Sequence, residues 1–110
     1  MNYHVQADTN LSRITAIRLE MLAHESLPSF GPGMADNGNF VLGEFVAKWA
    51  TASQPGKKKT IRFGKAESTF NQGEYEVAEA IDNQRRANGN GWAISGGTGK
   101  DQTAVFILKE

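Results

Sequence analysis

The residues best suited to chemistry in this chain are cations gathered between positions 48 and 65. The group holds half of the twelve lysine and arginine residues: Lys48, Lys57, Lys58, Lys59, Arg62 and Lys65. No Asp or Glu lies between Glu44 and Glu67, although the formal net charge of the whole chain is zero. A local excess of positive charge can neutralise phosphates or meet an acidic protein surface whatever the net charge.

A turn and a strand are expected to present these cations. Pro55 and Gly56 are typical turn residues, and residues 58–65 alternate between polar and apolar side chains as a strand does. Ile61 and Phe63 would face the core. The outward set, spaced by about 6.6 Å as alternate strand residues are, is Lys58, Thr60 and Arg62. This spacing is close to the phosphate repeat of an extended single strand. The alternatives are an acidic protein partner, or lysines that only protect an edge strand.

Catalytic, metal and cofactor sites are not predicted. Residues 96–100 are rich in glycine, but Ile94 and Asp101 occupy positions where a phosphate-binding loop needs Gly and Ser or Thr. His4 and His24 are the only histidines, and neither has a second ligand at a suitable spacing. The serines have no neighbouring base to activate them. We therefore expect no catalytic residues, no metal, no cofactor and no enzymatic activity.

A second candidate surface is the loop of residues 25–39, which is rich in Gly, Pro and Asn. Loops of this length without secondary structure are often functional. Phe30 and Met34 are its bulky apolar residues; we favour the interpretation that they pin the loop to the core, and the alternative is that they contact a partner. Trp49 and Trp92 could stack on bases, but aromatic residues of this size more often fill a core, and that is the interpretation we favour.

The elements that would position these residues are two helices and five strands. Residues 2–7 are expected to form a strand. A helix would follow, with the apolar stripe Leu11, Ile14, Ile17, Met21 and Leu22. Residues 40–51 fit a strand slightly better than a helix. A second helix is predicted over residues 71–86, capped by Asn71 and Glu74. Trp92 to Ser95 and Thr103 to Lys109 would form a final hairpin.

This order, βαββαββ, predicts an α+β domain over residues 1–110. Two helices would cover one face of a mostly antiparallel sheet, and a ferredoxin-like variant is possible.

The basic segment resembles the turn of single-stranded-DNA-binding transcriptional coactivator domains. Those domains have a Pro-Gly-Lys-Lys turn, a short strand and then a helix. Here the sequence runs from Gln54 through Pro55-Gly56-Lys57-Lys58 to Phe63 and on to the predicted helix at residues 71–86. The similarity covers about a third of the chain, and the predicted N-terminal helix and the two last strands depart from that pattern. The chain is therefore not assigned to that family.

Composition places the chain among ordinary globular proteins, with 39% hydrophobic and 22% charged residues. The absence of cysteine favours a reducing compartment, and no signal segment or membrane-spanning run is present, so a cytoplasmic location is expected. The sequence thus predicts a small binding protein that contacts single-stranded DNA or RNA through a basic hairpin. The alternative is a protein-interaction module, such as a small phage- or plasmid-encoded inhibitor or regulator, and a homodimer is possible.

Overall fold

The computed structural model describes residues 2–82 and 91–109 of the chain. Within these ranges the protein is built from strands, loops and two short 3-10 turns, Pro28–Phe30 and Val77–Ile81. The strands are β1 (Ala16–Met21), β2 (Val41–Leu42), β3 (Lys48–Trp49), β4 (Lys59–Thr60), β5 (Phe63–Ser68), β6 (Trp92–Ala93) and β7 (Gln102–Leu108).

The main sheet has three antiparallel strands in the order β1-β7-β5. Phe106 of β7 lies between Ile17 of β1 and Ala66 of β5. Because side chains alternate between the faces of a strand, these residues share the inner face. The outer face carries exposed charged residues such as Arg18 and Glu67. The other four strands form two small antiparallel pairs, β2 with β6 and β3 with β4.

The core lies against the inner face of the main sheet. Its fully buried large side chains include Trp92, Ile94 and Phe106. Phe45 stacks on Phe106 with ring centroids 4.1 Å apart and an interplanar angle of 7°. Phe63 is half-buried and packs against the same cluster. Aromatic side chains from the β5–β7 part of the main sheet, from β6 and from the loop at Phe45 therefore share one core.

The α+β prediction is wrong. Among residues 2–82 and 91–109, the longest helical segment is the five-residue 3-10 turn Val77–Ile81. The first predicted helix is instead β1, a six-residue strand in which exposed and half-buried residues alternate. Ile17 and Met21 fit a helical stripe and a strand equally well, because residues four apart share a face in both. Antiparallel pairing with β7 along all six residues decides for the strand.

The second predicted helix is also wrong in the described part of the chain, and residues 83–86 of it lie outside that part. Glu74 has a φ of 67°, in the left-handed region, and a turn closes from Tyr75 N–H to the Gln72 carbonyl at 2.9 Å. The Ala93 carbonyl accepts a hydrogen bond from Gln72 N–H at 2.9 Å. Asn71 Oδ1 accepts from Val77 N–H, also at 2.9 Å, which is too far along the chain for a helix cap. The backbone of Gln72 and Tyr75 therefore forms hydrogen bonds with Ala93 of β6, in place of the hydrogen bonds that a helix would form within itself.

All five predicted strands differ from the observed ones in extent or in partner. Residues 2–7 form no strand, and residues 40–51 contain the two short strands β2 and β3. The predicted strand at 58–65 is divided between β4 and β5, which belong to different sheets. The predicted final hairpin does not form, because β6 pairs with β2 while β7 lies between β1 and β5.

Candidate nucleic-acid interface

The basic hairpin, residues 48–60, consists of β3, β4 and the connection between them. Lys48 lies opposite Thr60, and Trp49 lies opposite Lys59. The ladder continues through Ile61 N–H, which donates to the Ala47 carbonyl at 2.9 Å. Ala47 and Ile61, which flank the hairpin, are half-buried, so the hairpin is packed against the rest of the protein at this end.

The connection of the hairpin is folded by successive turns. Gln54 N–H donates to the Thr51 carbonyl at 3.1 Å, and Lys57 N–H donates to the Gln54 carbonyl at 3.0 Å. The second turn contains Pro55 and Gly56, as the sequence predicted. Every residue from 51 to 60 is exposed. The lysine side chains at the tip are therefore available to a partner.

The two faces of the basic hairpin have different chemistry. Directly opposite residues in an antiparallel pair project to the same face. One face therefore carries Lys48 and Thr60, while the other carries Trp49 and Lys59. Lys59 Nζ lies 5.4 Å from the centroid of the Trp49 ring, a cation–π arrangement. The indole is 46% exposed. An aromatic surface and a cation thus stand side by side in solvent.

The basic hairpin, residues 48–60, contains lysines and no carboxylate of its own. The ion pairs within residues 2–82 and 91–109 join Arg18 to Glu20 and Lys65 to Glu67, and no hairpin lysine takes part in them. The potential at the tip is consequently positive despite the neutral chain.

The other predicted cations of the site are placed differently. Lys65 lies on β5, in the main sheet, where its Nζ is 2.8 Å from Glu67 Oε1. The hydrogen bond that Lys65 donates to Glu67, and then the negative charge of Glu67, raise the pKa of Lys65. Arg62 is exposed between β4 and β5, and its carbonyl oxygen accepts from Lys109 N–H at 2.8 Å. The structure therefore groups Lys48, Lys57, Lys58, Lys59 and Thr60 on the hairpin and separates Lys65 from them. From the sequence, Arg85 and Arg86 would extend the patch if the end of the predicted helix at residues 71–86 lay near the hairpin, but both lie outside the described residues.

Trp49 is the site residue that sequence reasoning assigned wrongly. The core interpretation holds for Trp92, which is fully buried and donates from Nε1 to the Phe70 carbonyl at 2.8 Å. It fails for Trp49. The sequence around Trp49 could have indicated its exposure, because Lys48 precedes it and a mostly polar run, residues 51–60, follows closely. A tryptophan at the start of so polar a run has little apolar surface to pack on.

The Phe30–Met34 loop forms a second exposed surface. Phe30 is 59% and Met34 is 68% exposed, so neither pins the loop to the core. Buried backbone holds the loop instead. Gly33 N–H donates to the Gly38 carbonyl at 2.8 Å, and a Cβ on Gly33 would lie 1.9 Å from the Asn39 carbonyl oxygen. The apolar side chains are thus presented outward by a closely packed support.

The glycine-rich turn at residues 96–100 uses its amides internally. Gly97 N–H donates to the Ile94 carbonyl, and Gly99 N–H donates to the Gly31 carbonyl, both at 2.7 Å. Buried Gln102 donates from Nε2 to the Gly97 carbonyl at 2.7 Å. These amides are therefore not directed at a phosphate, which agrees with the spacing argument against a nucleotide-binding loop.

No match was found when the chain was compared with protein-family models, with curated proteins and with solved structures. Among the described residues, no cluster of three or more His, Asp or Glu side chains could hold a metal ion. The same part of the chain contains no helix long and apolar enough to cross a bilayer. The basic hairpin and the Phe30–Met34 loop are two exposed surfaces on which a function can be proposed.

Proposed function

We propose that this protein is a non-catalytic binding protein whose basic hairpin contacts single-stranded DNA or RNA. The observation that carries the proposal is the half-exposed Trp49 ring with Lys59 Nζ 5.4 Å from its centroid, on a hairpin without carboxylates. Proteins that bind single strands without sequence preference combine aromatic stacking with cations along the backbone. Trp49 and the hairpin lysines supply both parts.

The unpaired form of the nucleic acid follows from the aromatic contact. A base can stack on Trp49 only if one of its faces is free, as it is in a single strand. Lys48 and Thr60 would contact phosphates from the opposite face of the hairpin, and Lys57 and Lys58 from its tip. Each neutralised phosphate releases counterions, so binding depends on salt. The cysteine-free sequence favours a reducing compartment, and a cytoplasmic location is part of this proposal.

The test is a titration with fluorescein-labelled oligo(dT) and oligo(U), followed by anisotropy over a series of salt concentrations. We expect the logarithm of the affinity to fall linearly with the logarithm of the salt concentration. Binding should also quench tryptophan fluorescence, and the quenching should disappear in Trp49→Phe, since Trp92 is fully buried. Affinity that does not depend on salt, or quenching that survives in Trp49→Phe, would contradict the proposal.

A protein partner is the second candidate, and the Phe30–Met34 loop favours it. Exposed apolar side chains on a rigid support are typical anchors of a protein interface. Such binding would tolerate moderate salt and would be lost in Phe30→Ala/Met34→Ala. A pull-down with and without nuclease separates the two candidates. A partner retained by the wild type after nuclease, and lost in the loop variant, would favour a protein-interaction module.

A further inference from the structure

The outer edge of β1 is unpaired in the described part of the chain. β1 pairs with β7 on one side, and no other strand pairs with it. The Thr15 carbonyl accepts from Leu108 N–H at 2.9 Å, directly before β1. Since hydrogen-bonded and non-bonded pairs alternate in an antiparallel ladder, the peptide groups of Ile17, Leu19 and Met21 face β7. Those of Ala16, Arg18 and Glu20 face away from it.

The side chains along this edge leave it open. Ala16, Arg18 and Glu20 are all exposed. Within residues 2–82 and 91–109, no backbone hydrogen bond besides those to β7 involves residues 16–22. An edge strand of this kind is a template for a further strand. Six residues in regular alternation are also a typical strand length.

We propose that β1 pairs antiparallel with β1 of a second copy of this chain, about a two-fold axis through Leu19. In this register Arg18 faces Glu20 of the other copy, and Glu20 faces its Arg18. Both positions have outward peptide groups, so each facing pair can exchange two backbone hydrogen bonds. Opposite charges directly across a ladder stabilise it, and like charges destabilise it. Two copies of this edge are therefore complementary in charge, and the outward peptide groups of one copy lie opposite those of the other.

The inner face of β1 continues across the same axis. Leu19 would meet Leu19 of the second copy, and Ile17 would meet Met21. All three are half-buried in the single chain, with surface left to cover. The main sheets would join as β5-β7-β1-β1-β7-β5, and the axis closes the assembly at two copies, because each β1 has only one free edge.

The single chain already contains part of the charge arrangement. Arg18 contacts Glu20 two residues along the same strand, with side chains that are 66% and 46% exposed. Exposed pairs of this kind contribute little in a monomer, because water screens them. In the dimer, the same four side chains form one alternating cluster across the axis. Charge complementarity thus selects a second copy as the occupant, ahead of an unrelated peptide strand.

Charge reversal tests this register. Sedimentation equilibrium should show a concentration-dependent dimer for the wild type. Arg18→Glu or Glu20→Arg places like charges across both facing pairs. Either variant should raise the dissociation constant of the dimer by about tenfold or more. The double variant Arg18→Glu/Glu20→Arg restores opposite charges and should recover most of the affinity. Circular dichroism and thermal unfolding verify that each variant folds, since both positions are exposed.

A cysteine scan locates the axis independently. The chain has no cysteine, so a single substitution gives an unambiguous crosslink. Leu19→Cys places two thiols in a non-hydrogen-bonded pair with Cα atoms about 4.5 Å apart, within the range of a disulfide. Oxidised glutathione should therefore give a covalent dimer. Ile17→Cys is the matched control. In the proposed register, the two copies of residue 17 are offset by four positions along the paired strands, which is about 13 Å. Their thiols should therefore not crosslink.

The outcomes divide cleanly. A dimer that both reversals weaken, that the double variant restores and that Leu19→Cys traps would establish the interface. A protein that remains monomeric up to about 1 mM, or a dimer insensitive to the reversals, would overturn it. Equal crosslinking of Ile17→Cys and Leu19→Cys would also overturn it. None of these results depends on nucleic-acid binding, so this inference and the proposed function can fail separately.

Discussion

Trp49 and Lys59 lie directly opposite each other across the β3–β4 ladder, with Lys59 Nζ 5.4 Å from the Trp49 ring centroid. Both residues are exposed on the hairpin, and neither belongs to the hydrophobic core. An ammonium group beside an indole offers one partner for a phosphate and another for a base. This pair defines the candidate site more narrowly than the charge of the segment does.

Removing the Trp49 ring should weaken nucleic-acid binding while leaving the fold intact. Base stacking on an aromatic side chain contributes about 1–3 kcal/mol, so Trp49→Ala should reduce the affinity for oligo(dT) roughly 5- to 150-fold. Fluorescence anisotropy measures this change. Val41→Ala is the control, because Val41 is 52% exposed on β2 and belongs to a different sheet. Equal affinity in Trp49→Ala and the wild type would rule out stacking.

The hairpin lysines should set the salt dependence. For single strands each phosphate contact contributes about 0.7 to the slope of log affinity against log salt. Lys57→Ala/Lys58→Ala should therefore lower the magnitude of the slope by about 1.4. Lys65→Ala should change it much less, since Lys65 lies on β5 and is paired with Glu67. A slope that responds to Lys65 as strongly as to the tip lysines would mean that the binding surface is the outer face of the main sheet.

Gly33→Ala should destabilise the protein by more than about 3 kcal/mol. A Cβ at this position would lie 1.9 Å from the Asn39 carbonyl oxygen, and the backbone would have to move to admit it. Gly43→Ala is the matched control, since a Cβ there meets nothing within 4 Å. Urea unfolding of both variants measures the difference. Similar midpoints for the two variants would show that the backbone around Gly33 admits a methyl group without strain.

Gln102→Leu should reduce the free energy of unfolding by about 1–3 kcal/mol. Gln102 is buried, accepts from Thr69 Oγ1 at 2.6 Å and donates to the Gly97 carbonyl at 2.7 Å. Leucine keeps the approximate volume but leaves the buried carbonyl without its donor. Gln54→Leu, at the exposed hairpin tip, should change the stability by less than about 0.5 kcal/mol. Thermal or urea unfolding would show the contrast, and its absence would mean that another donor reaches Gly97.

The Pro55-Gly56 turn could be predicted from the sequence, whereas the partners of the strands could not. Pro55-Gly56 gave the turn of the basic hairpin, and the exposed lysines around it followed. The strand β7 was also expected, but its predicted partner was the segment beginning at Trp92. The true partners, β1 and β5, are far away in sequence. Pairing over such distances is decided by which faces can be buried together, and alternation along one segment does not specify this.

The candidate site shows the same division. The sequence by itself determined where positive charge concentrates, because residues 45–66 contain six lysine or arginine residues and no Asp or Glu. Only the tertiary structure decided which cations act together, since the chain passes from β4 to β5 and places Lys65 beside Glu67 in another sheet. It also decided that Trp92 fills the core and Trp49 does not. A side chain is buried when distant segments cover it, and that covering is a property of the whole fold.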